Sequence, residues 1–114
     1  MRHTRILGFV IACGLCFGGC ARNLALGPLR SGVAAADAGK WDEAVRFWTK
    51  ALELAPGSAA AHNNLAVALE RHGAWSEAAK EYETALRLDP ENALIRGNYE
   101  TFKARLASSR GRRP

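Results

Sequence analysis

Residues 39–56 read GKWDEAVRFWTKALELAP, and thirty-four positions later residues 73–90 read GAWSEAAKEYETALRLDP. Gly39/Gly73, Trp41/Trp75, Glu43/Glu77, Ala44/Ala78, Ala51/Ala85, Leu52/Leu86, Leu54/Leu88 and Pro56/Pro90 are identical pairs, and Trp48 is matched by Tyr82. Self-similarity at this interval is the mark of an architecture in which each unit buries its apolar face only against its neighbours. It constrains the chain to grow by stacking.

The content of the unit follows from its periodicity. From Trp41, the apolar and small residues recur at Ala44, Val45, Trp48, Ala51, Leu52 and Ala55, a single stripe on an α-helix. The second copy repeats it at Trp75, Ala78, Ala79, Tyr82, Ala85 and Leu86. Alanines alternate with the rings because helices that cross closely need a small side chain where the facing helix inserts a large one. Gly39 and Gly73 stand where a preceding helix must stop and turn, in a conformation that costs glycine no Cβ clash. Asp42, Glu43 and Glu77 then fall in the first turn of the next helix, where carboxylates complement the helix dipole. Pro56 and Pro90 close the units. Each unit is predicted to be helix, glycine turn, helix, proline break.

After Pro90, Ile95, Tyr99, Phe102 and Leu106 form one apolar stripe, while Glu100 and Lys103 occupy positions where a further unit would need small or apolar side chains. That pattern predicts a capping helix with one face on the array and the other in water. The terminal SSRGRRP reads as a frayed tail.

These residues resemble the tetratricopeptide repeat family, whose unit is an antiparallel helix pair of this period. Leu65, Ala66, Leu69, Gly73, Trp75, Ala78, Tyr82, Ala85, Leu88 and Pro90 match its pattern in residues 59–90; His62 departs, standing where the family prefers a large ring. Residues 25–56 match in their second half, with Pro28 and Ala35 in ring positions of the first, so the first helix is expected to be short and loose, near Pro28 to Ala38. The resemblance implies an all-α fold, a short α-solenoid: repeat 1 over 25–58, repeat 2 over 59–92, a capping helix over 93–107 and a disordered basic tail over 108–114. Expected core residues are Trp41, Ala44, Trp48, Ala51, Leu65, Leu69, Trp75, Ala78, Tyr82 and Ala85.

The amino terminus has a separate logic. MRHTRILGFVIACGLCFGGC opens on Arg2 and Arg5, runs apolar from Ile6 to Phe17 and ends in Gly18-Gly19-Cys20, the layout of a signal peptide. Its apolar part is too short for an ordinary bilayer-spanning helix, which needs about twenty residues. A cysteine after two small residues resembles the bacterial lipobox, which implies cleavage after residue 19 and acylation of Cys20, with residues 20–24 as a lipid-anchored linker. VIAC, ending at Cys13, is an alternative cut that leaves only the apolar residues Ile6 to Ala12; an unlipidated secreted protein or a short uncleaved anchor is a further alternative. Several acyl chains, at about 0.8 kcal/mol per buried methylene, hold where one would exchange. With Ala21 after the cysteine, resemblance to lipoproteins of double-membraned bacteria favours the outer membrane, facing the periplasm.

Charge and chemistry narrow the function. The net charge of +5 comes from 16 basic and 11 acidic residues, but Arg2, Arg5, Arg110, Arg112 and Arg113 lie at the extremes, and 16 − 5 leaves 11 against 11. No basic stripe follows any helix, so no nucleic-acid partner is expected. Cys13, Cys16 and Cys20 are the only cysteines and all sit in the leader; His62 and His72 have no ligand-spaced companions; no phosphate loop or activated nucleophile is present. The glutamates at 77, 81 and 83 read as the solvated face of a helix. The expectation is a non-catalytic chain without metal, cofactor or small-molecule substrate.

What the family resemblance implies instead is a concave groove, lined by the first helix of each pair, that receives a protein or peptide. Here it would offer Asn63, Asn64, Val67, Glu70 and Arg71 from repeat 2, Asn98, Thr101 and Arg105 from the cap, and Val33 from repeat 1. Adjacent amides inside a helix sacrifice propensity and can hydrogen-bond a peptide backbone. The family subset that clamps a partner's C-terminal carboxylate uses a lysine and an asparagine where this chain has Leu29 and Val33, and only Asn64 matches it. The expected role is a scaffold for an envelope assembly. An alternative of another class is a structural subunit that self-associates into a homo-oligomer.

Overall fold

The computed structural model describes the backbone of residues 17–112, with side chains from Arg22 onward. Residues 1–16, with Cys13 and most of the leader, lie outside the described residues, as does the side chain of Cys20. The described residues form five helices and no strand: α1 (Phe17–Asp37), α2 (Trp41–Leu54), α3 (Ala59–Arg71), α4 (Trp75–Leu88) and α5 (Ala93–Arg110). This is the all-α stack of antiparallel pairs, α1 with α2 and α3 with α4, closed by α5.

The turns within pairs use the glycines as the spacing predicts. Gly39 and Gly73 have φ of +78° and +75°, the left-handed region. Lys40 N–H then reaches back to the Ala35 carbonyl at 2.8 Å, and Ala74 N–H to that of Leu69 at 2.9 Å, so each helix end is satisfied by a Schellman arrangement. Between pairs, Ser58 Oγ accepts from Ala61 N–H at 3.2 Å to start α3. One repeat later, Asn92 Oδ1 accepts from the N–H groups of Leu94 and Ile95 at 3.1 and 3.2 Å to start α5. Both are side-chain N-caps at the same register of the unit.

That register explains where α1 departs from expectation. The equivalent position is Leu24, which has no side-chain acceptor, and no proline stands two residues earlier. Nothing stops the helix, so it continues through the Cys-Ala-Arg-Asn-Leu stretch to Phe17, and Pro28 lies inside it. Proline withdraws one N–H and crowds one preceding carbonyl, a local cost that the packing of the following turns offsets. The first helix is therefore long, and the supposed linker is part of it. At the other end α5 runs to Arg110, so residues 108–110 of the expected tail are helical.

The core is built for close approach. Among the described residues, nine of the thirteen buried apolar ones are alanines, the others being Trp48, Tyr82, Ile95 and Phe102, so backbones meet directly and a few large side chains fill the remaining space. Ala25, Ala51 and Ala61 bring α1, α2 and α3 together. Ala35, Ala44 and Trp48 are joined by Ala68 from the next repeat. Ala66, Ala78, Tyr82 and Phe102 unite α3, α4 and α5.

Gly32 is what lets Trp48 enter: a Cβ there would lie 2.3 Å from the indole nitrogen, and the Trp48 N–H donates to the Leu29 carbonyl at 3.3 Å. The expected core residues Ala44, Trp48, Ala51, Ala78, Tyr82 and Ala85 are buried. Trp41, Leu65, Leu69 and Trp75 are only half-buried. The tryptophans open their helices at the end of the stack, where a neighbour covers one side of the ring: Arg71 lies 4.2 Å over Trp41, and Phe102 sits 5.9 Å from Trp75.

Candidate functional site

The first helices of the pairs and the cap, α1, α3 and α5, carry every residue expected to line the groove. Along α3 and α5 the amides form a ladder: Asn98 Nδ2 donates to Asn63 Oδ1 at 3.0 Å, and Asn63 Nδ2 to Asn64 Oδ1 at 3.3 Å. Asn63 is 4% exposed, so it is a strut inside the α3–α5 contact and a correction to its expected place on the open face. Both the oxygen and the nitrogen of its amide have a partner, since a buried polar group without one would cost about 1–3 kcal/mol. Asn64 and Asn98 are half-buried at the edge of this ladder.

Glu70 is also a strut. Its side chain is 9% exposed; one carboxylate oxygen accepts from Arg105 Nη1 at 2.8 Å and the other from the Tyr82 hydroxyl at 3.1 Å. Burial, followed by the charge and hydrogen bond of Glu70, holds the Tyr82 hydroxyl protonated well above the ordinary phenol range, with Arg105 acting weakly in the other direction. Tyr99 is raised for the same first reason, burial, and then by the bond it donates to Glu83 at 3.1 Å. Lys103, bonded to Glu100 at 2.7 Å, is raised as well and lies 4.8 Å over the Tyr99 ring.

The remaining expected groove residues divide. Val67 is half-buried, whereas Arg71, Thr101 and Arg105 are exposed, as is Val33 on α1. Thr101 spends its hydroxyl on the Gly97 carbonyl of its own helix at 2.9 Å. Arg71 faces Trp41 of α2 and so belongs to the flank rather than the centre. The face that stays available consists of Asn64, Val67, Asn98, Val33 and the outer surfaces of Thr101 and Arg105.

Of the glutamates expected on a solvated face, only Glu81 is drawn in. Glu81 pairs with His62 Nδ1, and the other ring nitrogen of His62 lies 2.9 Å from the Pro56 carbonyl. The histidine in a ring position thereby ties α3 to α4 and to the turn before it, and its departure from the family pattern is absorbed by a polar partner. Glu77 and Glu83 are both exposed, and Glu83 accepts from the Tyr99 hydroxyl at the surface. Sequence spacing alone could not show these pairs, since each partner lies on another helix. Among the described residues no group of three or more His, Cys, Asp or Glu is placed to hold a metal ion. No described helix is long and apolar enough to cross a membrane.

Residues 29–93 match the tetratricopeptide repeat family model, more than half of the chain. The chain belongs to the tetratricopeptide repeat family. Solved structures agree. The second tetratricopeptide repeat domain of human RPAP3, determined in complex with an HSP70 peptide, is 28% identical, with a TM-score of 0.64 over 69% of this chain and 66% of that one, just under two thirds of its length. The tetratricopeptide repeat domain of Arabidopsis OM64 superposes with a TM-score of 0.69 at 23% identity, covering 77% of this chain and 73% of that one. The second such domain of Spaghetti (RPAP3), bound to an HSP90 peptide, gives 0.70 at 21% identity, covering 79% and 85%. These last two likenesses are of fold. None of the curated proteins matches the chain in sequence.

Proposed function

We propose that this tetratricopeptide repeat protein is a non-catalytic scaffold of the bacterial cell envelope, acylated on Cys20, held at the outer membrane facing the periplasm, and receiving a segment of another protein on its α1–α3–α5 face. The observation that carries the binding half is the amide ladder. Asn63 fixes Asn64 and Asn98 from within, so two amides are held at set positions beside Val67, and paired amides are the groups that match a peptide backbone's alternating donors and acceptors.

The human domain that is 28% identical was determined with a peptide bound, which supports the same use of this face. The ligand is of a different kind. Leu29 has its side chain half-buried and its carbonyl engaged by Trp48, and Val33 is exposed, so α1 offers apolar surface where a carboxylate clamp would need a cation and an amide. The preferred segment is apolar and internal rather than an acidic C-terminus. The anchoring half rests on the leader's charged, apolar and small-residue regions ending at Cys20.

A Val33→Asp/Asn64→Asp variant tests the face, because aspartate at 64 still accepts the Asn63 bond while the surface gains charge. Affinity capture from intact envelopes is expected to lose the partner that the parent retains. An unchanged set of captured proteins rejects this face as the binding site. Labelled palmitate is expected in the parent and absent from Cys20→Ser; incorporation undiminished in the variant rejects acylation at that residue.

A further inference from the structure

Because the helices alternate in direction, one end of the stack gathers the Leu24 turn of α1 and the starts of α3 and α5 with the ends of α2 and α4. Of the five large apolar side chains exposed among the described residues, four lie at that end: Leu24 at 64%, Leu94 at 69%, Leu26 at 44% and Leu88 at 42%. Val33, the fifth, is seven residues beyond Leu26 along α1, about two turns. Leu26 and Leu88 share a cavity of ≈ 430 Å³ with the α2–α3 turn. The opposite end exposes Asp37, Lys40, Asp42, Arg71, His72 and Glu77, and no large apolar side chain among the described residues.

We propose that the leucine-bearing end rests on the lipid surface to which the chain is anchored, with Leu24, Leu26, Leu88 and Leu94 entering the headgroup region. This rests on the anchoring reading above. Its independent support is where the chain enters: α1 is continuous from Phe17 to Asp37, so Cys20 is joined to Leu24 by helix and not by slack, roughly 6 Å along the axis at 1.5 Å per residue. Acyl chains at Cys20 therefore bring this end, and no other, to the membrane. Its charges nearly cancel, with Arg22, Lys50, Arg87 and Arg96 against Glu53, Asp89 and Glu91, so the contact is mainly apolar and only weakly sensitive to salt. In that pose the helices stand along the membrane normal, the α1–α3–α5 face opens sideways to the periplasm, and the opposite end points into water.

The test places benzoylphenylalanine at position 24, 94 or 72 of the full chain, associated with vesicles of phosphatidylethanolamine and phosphatidylglycerol. All three positions are exposed and tolerate the ring. Phospholipid adducts are expected from 24 and 94 at about ten times the yield from 72, changing little between low and high salt because apolar insertion is not screened. Equal yields from the three positions, in protein that carries palmitate and sediments with vesicles, overturn the pose and leave the anchor standing. Crosslinks from 24 or 94 to the leader or to a second copy overturn it by showing another occupant. Protein that neither takes palmitate nor sediments removes anchor and pose together.

Discussion

The two repeats solve one packing problem with different parts. In the first, Trp48 is accommodated because its partner on α1 is Gly32; thirty-four residues on, the smaller ring of Tyr82 packs in one cluster with Ala66. Ring and partner change size in opposite senses, so a similar helix crossing is kept. The polar ends differ too. Trp48 donates to a backbone carbonyl of its neighbour, whereas Tyr82 reaches a carboxylate that also holds the cap through Arg105. A repeat thus conserves a volume and a crossing, and spends its polar atoms on whatever lies next to it.

The contrast breaks most visibly at the large rings. Trp48→Ala is expected to destabilise by about 3–5 kcal/mol, a large share of the stability of so short an array, and to abolish a cooperative thermal melt. Trp75→Ala should cost clearly less because its ring is only half-buried; equal losses in the two melts would show that the second repeat leans on its opening tryptophan as heavily as the first does on its buried one.

Gly32→Ala sharpens the comparison. The added methyl meets the indole, and overpacking of this kind costs about 1–3 kcal/mol. Adding Trp48→Tyr to it makes the first repeat resemble the second and should restore part of the loss. Additive denaturant midpoints in the double-mutant cycle would show that the two sites do not compensate.

Smaller effects belong to the polar struts of the second repeat. Asn63→Ala removes the centre of the amide ladder and should cost about 1 kcal/mol, read from urea unfolding. Its counterpart on α1 is Leu29, which has no such amide, so the loss has no equivalent in repeat 1.

The smallest effect is alkaline. Folding favours the neutral hydroxyl of Tyr82, so its contribution is complete below the unfolded phenol value of 10.0 and is lost as pH rises above it toward the raised folded value. Tyr82→Phe should flatten the fall in stability above that pH relative to the parent. A fall of the same steepness in both proteins would assign it to other groups.

Much of this was legible in the residues, and the misses share a cause. Trp48, Tyr82 and the alanines follow helical spacing, and both glycine turns follow from their place before a tryptophan, because these are properties of one helix or of one pair. The start of α1 is obscured by Pro28, a strong local signal; the missing cap at Leu24, visible by comparison with Ser58 and Asn92, is the feature that points past it. Asn63 resembles a ligand contact in local pattern because its partner, Asn98, lies about a full repeat away. The engagement of Glu81 by His62 is hidden from local pattern for the same reason.

By itself, then, the sequence determined the period, the helix pairs, the turns and the buried stripe, since hydrophobic spacing and backbone preference act within about one turn of helix. Only the tertiary structure decided which amides and carboxylates face inward and at which end the exposed leucines gather. Those outcomes depend on which helices become neighbours and in which direction each runs, and a stack of alternating helices brings together side chains that no local pattern connects.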